Sequence, residues 1–375
     1  MRNRQQRCRV AVLAFADARK DARTLNVCRT LATECELALW NTTPGQCTEW
    51  QWFAVEVPPH GRMLIRWLRF VVMLCWRAQR WRADVLWAGD VYCLLPAVVL
   101  RWRWNARVVY DAREIYSSLG SLAERRVAQT LLAWYERLLV RWVDRVVTSG
   151  QRDAEELARL LPLRAVPEVV LNVPFYAEPT RTNRLRERCC IEHDALVVLY
   201  QGAVQRGRGL LRAVEAIALL KTAHLCILGD GDFAGAVEHH ARACGVAAQV
   251  HLLGSVPYDE LLDWTASADV GWCWIEPISH SYELALPNKL FEYAMARVPV
   301  LASDLPAIRS VLEEFPFGVC YAPTADAAEL AAAITHLHTH AEVYRYHAER
   351  AAREYCYERQ QPRIRRLVLE LCQNR

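Results

Sequence analysis

A turn and helix start near residue 288 bring together residue types that can hold an anion. In "LPNKLFEY", Pro287 and Asn288 lead into an apolar helix, whose first N–H groups and positive dipole end favour negative charge. Lys289 adds a point charge suited to phosphate, and Glu292 follows one turn later. Only three of the 46 Lys and Arg residues are lysines, so one of three stands at this turn. The alternative is that Lys289 and Glu292 form an ordinary i, i+3 surface pair.

A glycine-rich turn with two arginines offers a second place for an anion. The segment "LYQGAVQRGRGL" has the pattern of a buried strand, a turn and a helix start. Glycine lets the backbone approach phosphate closely, here at Gly202 and Gly209, and Arg206 and Arg208 add positive charge. Taken alone, the segment is more typical of an exposed polar turn.

A third segment has the literal form of a metal-binding D-x-D motif. Asp230-Gly231-Asp232 lies in "CILGDGDF", where we interpret it as a strand-to-helix turn that includes Gly229. The sequence has no Cys/His cluster at zinc-ligand spacing. We therefore expect neither a metal site nor a cofactor.

Composition limits the classes of protein that this chain can belong to. It has 375 residues, 53% of them hydrophobic, which excludes a disordered chain and favours two domains. The formal charge of +4 is too small to indicate a general polyanion binder. The 14 cysteines are scattered, and several lie in apolar runs, which favours a reducing cytoplasm. The segment from Val10 to Ala16 is expected to be a first strand rather than a signal peptide, and no apolar run is long enough to cross a bilayer.

The elements that position these residues follow a repeating order along the chain. Short apolar strands such as "RVAVLAF", "ARVVYDA" and "ALVVLYQGA" alternate with helical patterns, which predicts α/β domains with parallel sheets covered by helices on both faces. A proline-rich stretch between 150 and 180 interrupts the order. We predict an N-terminal domain over 1–175, a C-terminal domain over 176–345, and terminal helices over 346–375 that pack back on the N-terminal domain. Ligands of such sheets bind at the carboxyl ends of the strands.

The order of these motifs resembles the retaining glycosyltransferases of family 4. The strongest part is "LPNKLFEYAMARVPVLASDLPAIRSVL" followed by "GVCYAPTADAAELAAAI", with support from "VVYDAREIY", "VVLNVP", "LYQGAVQRGRGL" and "LGDGDF". The resemblance covers nearly the whole chain. It implies the GT-B fold, in which two Rossmann-like domains face each other across a cleft, and a nucleotide-diphosphate-sugar donor as substrate.

The resemblance also implies roles for the residues of the C-terminal half. Lys289 and Arg208 would stabilise the departing diphosphate, and Glu292 would hold the ribose hydroxyls, as suits a carboxylate acceptor. Further donor-binding positions implied by the resemblance are Gly202, Arg206, Gly209, Gly229, Gly231, Pro287 and Asn288.

In the N-terminal half, the resemblance points to the loops after two strands. Asp17 and Arg19 in "FADARKDARTL" lie where the family has its acceptor loop. In "YDAREIY", Asp111 and Glu114 match the ends of the family's Asp-x-His-Glu pattern, and Asp111 is expected among the catalytic residues. Arg113 stands in place of the histidine, which usually contacts the donor sugar. The substitution replaces a titratable group with a fixed charge.

A second departure concerns the loop before Lys289. The family often has a glutamate seven residues before the one at Glu292, where this chain has Leu284. Glu283, one residue earlier, is a candidate substitute, although a shift of one residue re-aims a side chain. With Arg113, two expected sugar contacts are altered, which indicates either a different donor sugar or weakened catalysis.

Residues 60–107 are rich in arginine and tryptophan, with nine arginines against two acids. A helix here would carry Arg62, Arg66, Arg69, Arg77 and Arg80 on one side and Leu64, Trp67, Leu68, Val71, Leu74 and Cys75 on the other. Such a composition suits the surface of an anionic membrane, but equally a helix that packs on the sheet with a solvated basic face. No nucleic-acid motif accompanies the charge, so we expect no nucleic acid partner.

The sequence therefore predicts a cytoplasmic, metal-independent retaining glycosyltransferase that acts on a glycan or lipid-linked acceptor of the bacterial cell envelope. Peripheral attachment to the inner face of the membrane through residues 60–107 is part of this hypothesis. Two alternatives stay open: a non-catalytic subunit that binds nucleotide sugar or membrane, and a nucleotide-sugar 2-epimerase of the same fold.

Overall fold

The computed structural model describes residues 7–58, 60–116 and 125–373 and divides the chain into two units. Unit 1 consists of residues 1–172 and 357–375, and unit 2 of residues 173–356. The sequence predicted domain boundaries after residues 175 and 345, whereas the structure divides the chain after residues 172 and 356. The helix that contains residue 345 therefore belongs to unit 2. The sequence pattern also predicts a long helix near 122–142, of which residues 122–124 lie outside the described residues.

Unit 1 is built on a sheet of seven strands. They are β1 (Arg9–Leu13), β2 (Glu36–Asn41), β3 (Gln51–Ala54), β4 (Val85–Ala88), β5 (Arg107–Ala112), β6 (Arg145–Thr148) and β7 (Glu168–Val169). They lie in the order β3-β2-β1-β4-β5-β6-β7, and every pairing is parallel. The order reverses at β1 and β4, so the carboxyl ends of these strands form the place where such a sheet binds ligands.

Six α-helices in the described part of unit 1 cover this sheet. They are α1 (Ala22–Ala32), α2 (Met63–Arg77), α3 (Leu94–Trp104), α4 (Arg126–Leu139), α5 (Gln151–Leu160) and, from the end of the chain, α15 (Tyr357–Gln373). Helix α15 packs against α1, as the prediction of a returning C-terminal helix requires. A disulfide between Cys8 and Cys372 joins the start of β1 to α15, a pairing that the sequence analysis did not foresee.

Unit 2 repeats the architecture with six strands. They are β8 (Leu196–Gln201), β9 (Ala223–Leu228), β10 (Val250–Gly254), β11 (Val270–Cys273), β12 (Val300–Ser303) and β13 (Gly318–Tyr321). Their order is β10-β9-β8-β11-β12-β13, again with parallel pairings. All six residues of β8 are buried, as a central strand covered on both faces requires.

The helices of unit 2 include the two that begin at the predicted anion-binding turns. They are α6 (Arg184–Cys189), α7 (Leu210–Ala218), α8 (Ala234–Ala243), α9 (Leu261–Thr265), α10 (His280–Glu283), α11 (Asn288–Met295), α12 (Pro306–Glu314), α13 (Ala327–Thr339) and α14 (Ala341–Glu354). The predicted fold of two parallel-sheet α/β domains is confirmed. None of the helices in the described ranges is both long and apolar enough to cross a membrane.

Helix α2 buries only part of the side that the sequence predicted to be apolar. Of that side, Val71 and Leu74 are buried, whereas Leu64 and Leu68 are 62% and 46% exposed. The reason is that α2 carries two apolar rows, one along Phe70 and Leu74 and the other along Leu64 and Leu68. Periodicity alone cannot tell which row the sheet covers.

Candidate functional site

The ammonium group of Lys289 lies in an apolar setting at the start of α11. The side chain is 8% exposed, and Nζ lies 3.7 Å from the centre of the Tyr200 ring. Within the described ranges, Nζ has no hydrogen-bond partner. Burial lowers the pKa of Lys289 to about 7. A buried cation without a partner is costly, and binding of an anion would relieve that cost.

The N-terminus of α11 adds its own positive potential beside this lysine. Pro287 precedes the helix in an extended conformation, and no side chain caps the first turn. Asn288 is the first helical residue. The Leu290 N–H donates to the Pro287 carbonyl oxygen at 3.0 Å. In the described structure the N–H groups of Asn288 and Lys289 are thus the ones available to an acceptor, as at other anion-binding helix ends.

Arg208 lies on the turn before α7 and shares the electrostatic environment of Lys289. Its positive charge contributes, after burial, to the lowered pKa of Lys289. The guanidinium lies 4.9 Å from the centre of the Tyr282 ring. Gly209 has φ +62° and lies so close to Trp274 that a Cβ would come within 2.2 Å of the indole ring. The turn thus needs glycine there, whereas Arg206, two residues before Arg208, is exposed.

Glu292 is held in place by a chain of hydrogen bonds that reaches back to β8. Gln201 donates from Nε2 to a Glu292 carboxylate oxygen at 2.5 Å, and the side-chain oxygen of Gln201, Oε1, accepts from the Thr265 hydroxyl at 2.8 Å. Burial raises the pKa of Glu292, while the Gln201 hydrogen bond and the Lys289 charge oppose the rise. Within the described residues no hydrogen bond reaches the second carboxylate oxygen, so a ligand hydroxyl could donate to it.

Glycines bring the ends of β8 and β9 close together. Gly202 has φ +118°, and a side chain at this position would begin 3.8 Å from Lys289 Nζ. Gly229 has φ +146°, and a Cβ there would lie 1.9 Å from the Gly202 carbonyl oxygen. Gly231 is equally tight, with the Val204 carbonyl oxygen 2.0 Å from an added Cβ. Asp230 accepts hydrogen bonds from the backbone N–H and the hydroxyl of Ser255.

We expect Gly229→Ala to lower the free energy of unfolding by roughly 3 kcal/mol or more, because the added methyl group meets the Gly202 carbonyl and the backbone conformation is strained. Gly235→Ala is the matched control: it lies in α8 with no atom within 4 Å of an added Cβ. That variant should be neutral or slightly more stable. Guanidinium unfolding of both variants tests this, and equal stabilities would show that the strands can separate.

Glu283, the proposed substitute for the missing glutamate, pairs with a residue of its own short helix. It lies at the end of the short helix α10, is exposed, and pairs with His280 at 3.1 Å. Leu284 follows it and is half-buried.

In unit 1, Asp111 is a buried partner of Arg23. Asp111 ends β5 with no exposed surface, and its two oxygens accept from Arg23 Nε and Nη2 at distances of 2.7 to 3.1 Å. The remaining Arg23 nitrogen donates to the Val170 carbonyl at 2.8 Å. The carboxylate predicted to be catalytic therefore holds an arginine that ties α1 to the chain after β7.

Arg113 lies near the carboxyl end of β5 and is held by α1. It donates to Asp21 and to the Thr24 hydroxyl, both at 2.7 Å, and Nε lies 3.7 Å from Asp111. Burial opposes its charge, but Asp111 and Asp21 outweigh that effect and raise the pKa of Arg113. Burial raises the pKa of the neighbouring Asp90. Arg113 is thus fixed in this cluster of carboxylates rather than extended into solvent.

Asp17 and Arg19 bind each other on the surface. Arg19 donates to Asp17 from its backbone N–H and from its guanidinium at 2.8 to 3.1 Å, which lowers the pKa of Asp17. Glu114 is exposed near the end of β5. These three residues lie after β1 and β5, as the sequence predicted for a loop region.

The sequence did not reveal the residues that contact and position the predicted site residues. In unit 2 these are Gln201 and Tyr200, and in unit 1 Asp21 and Arg23. A polar residue ending an apolar strand was an available signal for Gln201, as was the D-x-x-T pattern of a helix cap for Asp21. No local signal marks the pairing of Arg23 with a residue 88 positions away.

Two family models match the chain in succession. The model described as "Glycosyl transferase 4-like domain" matches residues 3–174, and "Glycosyl transferases group 1" matches residues 195–340. A D-inositol 3-phosphate glycosyltransferase from Xylanimonas cellulosilytica is 28% identical over 198 residues, which are 49% of this chain and 46% of that protein. The match thus spans about half the length of this curated relative.

Solved structures resemble the whole chain at low identity. Sucrose-phosphate synthase from Thermosynechococcus elongatus has a TM-score of 0.82 at 14% identity, covering 98% of this chain and 100% of that one. HepE from Anabaena, solved in complex with UDP-glucose, has a TM-score of 0.77 at 14% identity, covering 96% and 99%. Identities this low show the fold alone. The two parallel sheets and these neighbours show the GT-B fold, and each of its two domains matches a glycosyltransferase domain model.

Proposed function

We propose that the protein transfers a hexose-type sugar from a nucleotide-diphosphate-sugar to a glycan or lipid-linked acceptor of the bacterial cell envelope, with retention of anomeric configuration. The observation that carries the proposal is the buried Lys289 ammonium, which has no hydrogen-bond partner in the described structure and stands at the uncapped start of α11. A diphosphate supplies the negative charge that this position lacks. HepE, of the same fold, was solved with UDP-glucose, which makes UDP the first nucleotide to test.

The donor-binding roles divide between three groups in unit 2. Lys289, Arg208 and the N–H groups of α11 bind the diphosphate, and Glu292 accepts from the ribose hydroxyls. Gly202, Gly229 and Gly231 let the backbone approach the nucleotide.

The chemistry needs no nucleophile from the protein. The bond between the anomeric carbon and the diphosphate oxygen breaks, the acceptor hydroxyl attacks the same face, and its proton passes to the departing phosphate oxygen. Negative charge grows on the diphosphate as the bond breaks, so preorganised cations stabilise the transition state more than the ground state. We propose that Lys289, Arg208 and the helix end supply this stabilisation without a metal ion.

The residues of unit 1 take supporting roles in this proposal. Asp111 acts as a positioning residue, because both of its oxygens bind Arg23. Arg113 stands where the family has a histidine, and because Asp21 and Asp111 already pair with its charge, we assign it a positioning role as well. Asp17, Arg19 and Glu114 are candidates for acceptor contact.

The test measures the contribution of Glu292 with nucleotides that differ by one hydroxyl. Calorimetry with UDP, GDP and dTDP identifies the base, and UDP is then compared with 2′-deoxy-UDP. We expect Glu292→Ala to weaken UDP binding by roughly 10- to 100-fold, as loss of a charged hydrogen bond predicts, and to remove the preference for UDP over its deoxy analogue. Glu313→Ala, an exposed site on α12, is the control and should bind as the wild type does.

Two outcomes would contradict the proposal. A variant that still prefers UDP over the deoxy analogue would show that Glu292 does not hold the ribose. Failure of every nucleoside diphosphate to bind would remove the donor site altogether.

A non-catalytic nucleotide-sugar-binding subunit is the second candidate, and the fixed position of Arg113 favours it. Donor binding without transfer to any acceptor in an envelope extract would support this candidate. Conversion of the donor to an isomer without an acceptor would instead indicate a 2-epimerase.

A further inference from the structure

Three neighbouring helices of unit 1 carry an exposed apolar face. We define this apolar face as Met63, Leu64, Ile65, Leu68, Val72 and Trp76 of α2, Val99 and Trp102 of α3, Val127, Leu131, Trp134 and Leu138 of α4, and Trp142. The helices adjoin each other: Trp67 of α2 lies edge-on to Tyr135 of α4 at 5.8 Å between ring centres, and the Tyr135 hydroxyl accepts from the Leu95 N–H of α3. The rings of Trp102 and Trp142 meet at 5.1 Å.

The apolar face is too concentrated to be ordinary surface. It includes 13 of the 19 exposed large hydrophobic side chains found in the described ranges, and four exposed tryptophans. Single exposed hydrophobic residues are normal, but contiguous patches mark surfaces that bind something. The two rows on α2 and α4 each follow helical spacing, so they form continuous stripes.

The charge on these helices has one sign. Helices α2, α3 and α4 contain seven arginines and a single acid, Glu136. Glu136 is 2% exposed and accepts a hydrogen bond from the Tyr110 hydroxyl at 2.6 Å, so it does not face solvent. Every exposed charge within these three helices is therefore positive.

We propose that the apolar face docks on the surface of an anionic lipid bilayer. Tryptophan and arginine both partition to the headgroup region, and aliphatic side chains between them reach the acyl boundary. A second copy of the chain fits poorly, because a two-fold interface would set the arginines of one copy against those of the other with no carboxylate between them. The inference does not depend on the proposed sugar transfer, since no residue of the apolar face belongs to the donor site.

The experiment is flotation of the full-length protein with vesicles of phosphatidylcholine, alone or mixed with phosphatidylglycerol. We expect binding to the mixed vesicles that weakens with added salt. The double variant Leu68→Glu/Leu131→Glu should lose at least tenfold in binding. Val343→Glu, which alters an equally exposed hydrophobic residue on α14, is the matched control and should bind as the wild type does.

A second pair of variants measures the electrostatic contribution to vesicle binding. Arg69→Gln and Arg103→Gln should each reduce the partition coefficient about fivefold, which corresponds to ~1 kcal/mol for one charge near an anionic surface. Lys289→Met should bind vesicles normally, and Leu68→Glu/Leu131→Glu should bind UDP normally. Membrane docking and donor binding can thus fail separately.

Three results would overturn the inference. The first is no binding to mixed vesicles at low salt, and the second is equal binding by the wild type and Leu68→Glu/Leu131→Glu. The third is a dimer, detected by sedimentation, that dissociates in the same double variant, since a second copy would then cover the apolar face.

Discussion

Lys289→Met is expected to lose UDP affinity by roughly 10- to 150-fold and to unfold at a higher temperature than the wild type. The loss follows from removing a charged hydrogen bond to phosphate, worth about 1.5–3 kcal/mol. The gain in stability follows because the wild type buries an amine without a hydrogen-bond partner in the described structure, which methionine replaces with a similar apolar volume. Calorimetry with UDP and thermal unfolding measure the two effects on the same protein.

The dependence of both effects on pH follows from the pKa of Lys289, lowered to about 7 from the ordinary value of 10.5. Between these values the unfolded chain binds more protons than the folded one, so the stability of the wild type rises with pH. The advantage of the methionine variant should therefore be largest below pH 7 and shrink toward pH 10.5. Wild-type affinity for UDP should fall as pH rises above 7, since the phosphate is then fully ionised and the lysine is not.

Controls separate this prediction from a general effect of losing a lysine. Lys221→Met removes an exposed lysine and should change neither UDP affinity nor unfolding temperature. Lys289→Arg should not restore affinity, because the wider guanidinium must fit beside the Tyr200 ring. Normal UDP binding by Lys289→Met would remove the central support for the donor site.

Arg23→Met is expected to lower the free energy of unfolding by roughly 3–5 kcal/mol, because it leaves Asp111 as a buried carboxylate without its main partner. Within the described residues, Arg113, at 3.7 Å, is the cation that would then remain beside Asp111. Guanidinium unfolding followed by tryptophan fluorescence measures the change. The double variant Arg23→Met/Asp111→Leu should regain more than half of the loss, since neither charge is then buried alone.

The Arg23→Met variant also tests the role of Asp111. Arg19→Met breaks an exposed pair with Asp17 and should have no measurable effect on stability, which makes it the matched control. If Arg23→Met were as stable as the wild type but inactive in transfer, Asp111 would have a chemical role and its assignment as a positioning residue would be wrong.

Local patterns in the sequence predicted a large part of this protein. The alternation of apolar runs with helical periods was enough for two parallel α/β sheets, because a strand buried on both faces must be apolar throughout. Strand β2 and the edge strands β3, β7 and β13 were not predicted from that alternation. The turn at Pro287 and the helix that begins at Asn288 were also predictable, since turns and helix starts depend on a few adjacent residues.

The tertiary structure decided everything that depends on residues distant in sequence. Gln201 reaches Glu292 and Arg23 reaches Asp111 across 91 and 88 positions, and neither pairing has a local signature. The same holds for the disulfide between Cys8 and Cys372 and for which row of α2 is left uncovered. The physical reason is that periodicity fixes which residues share a face of a helix or strand, whereas burial and partnership depend on what the rest of the chain packs against that face.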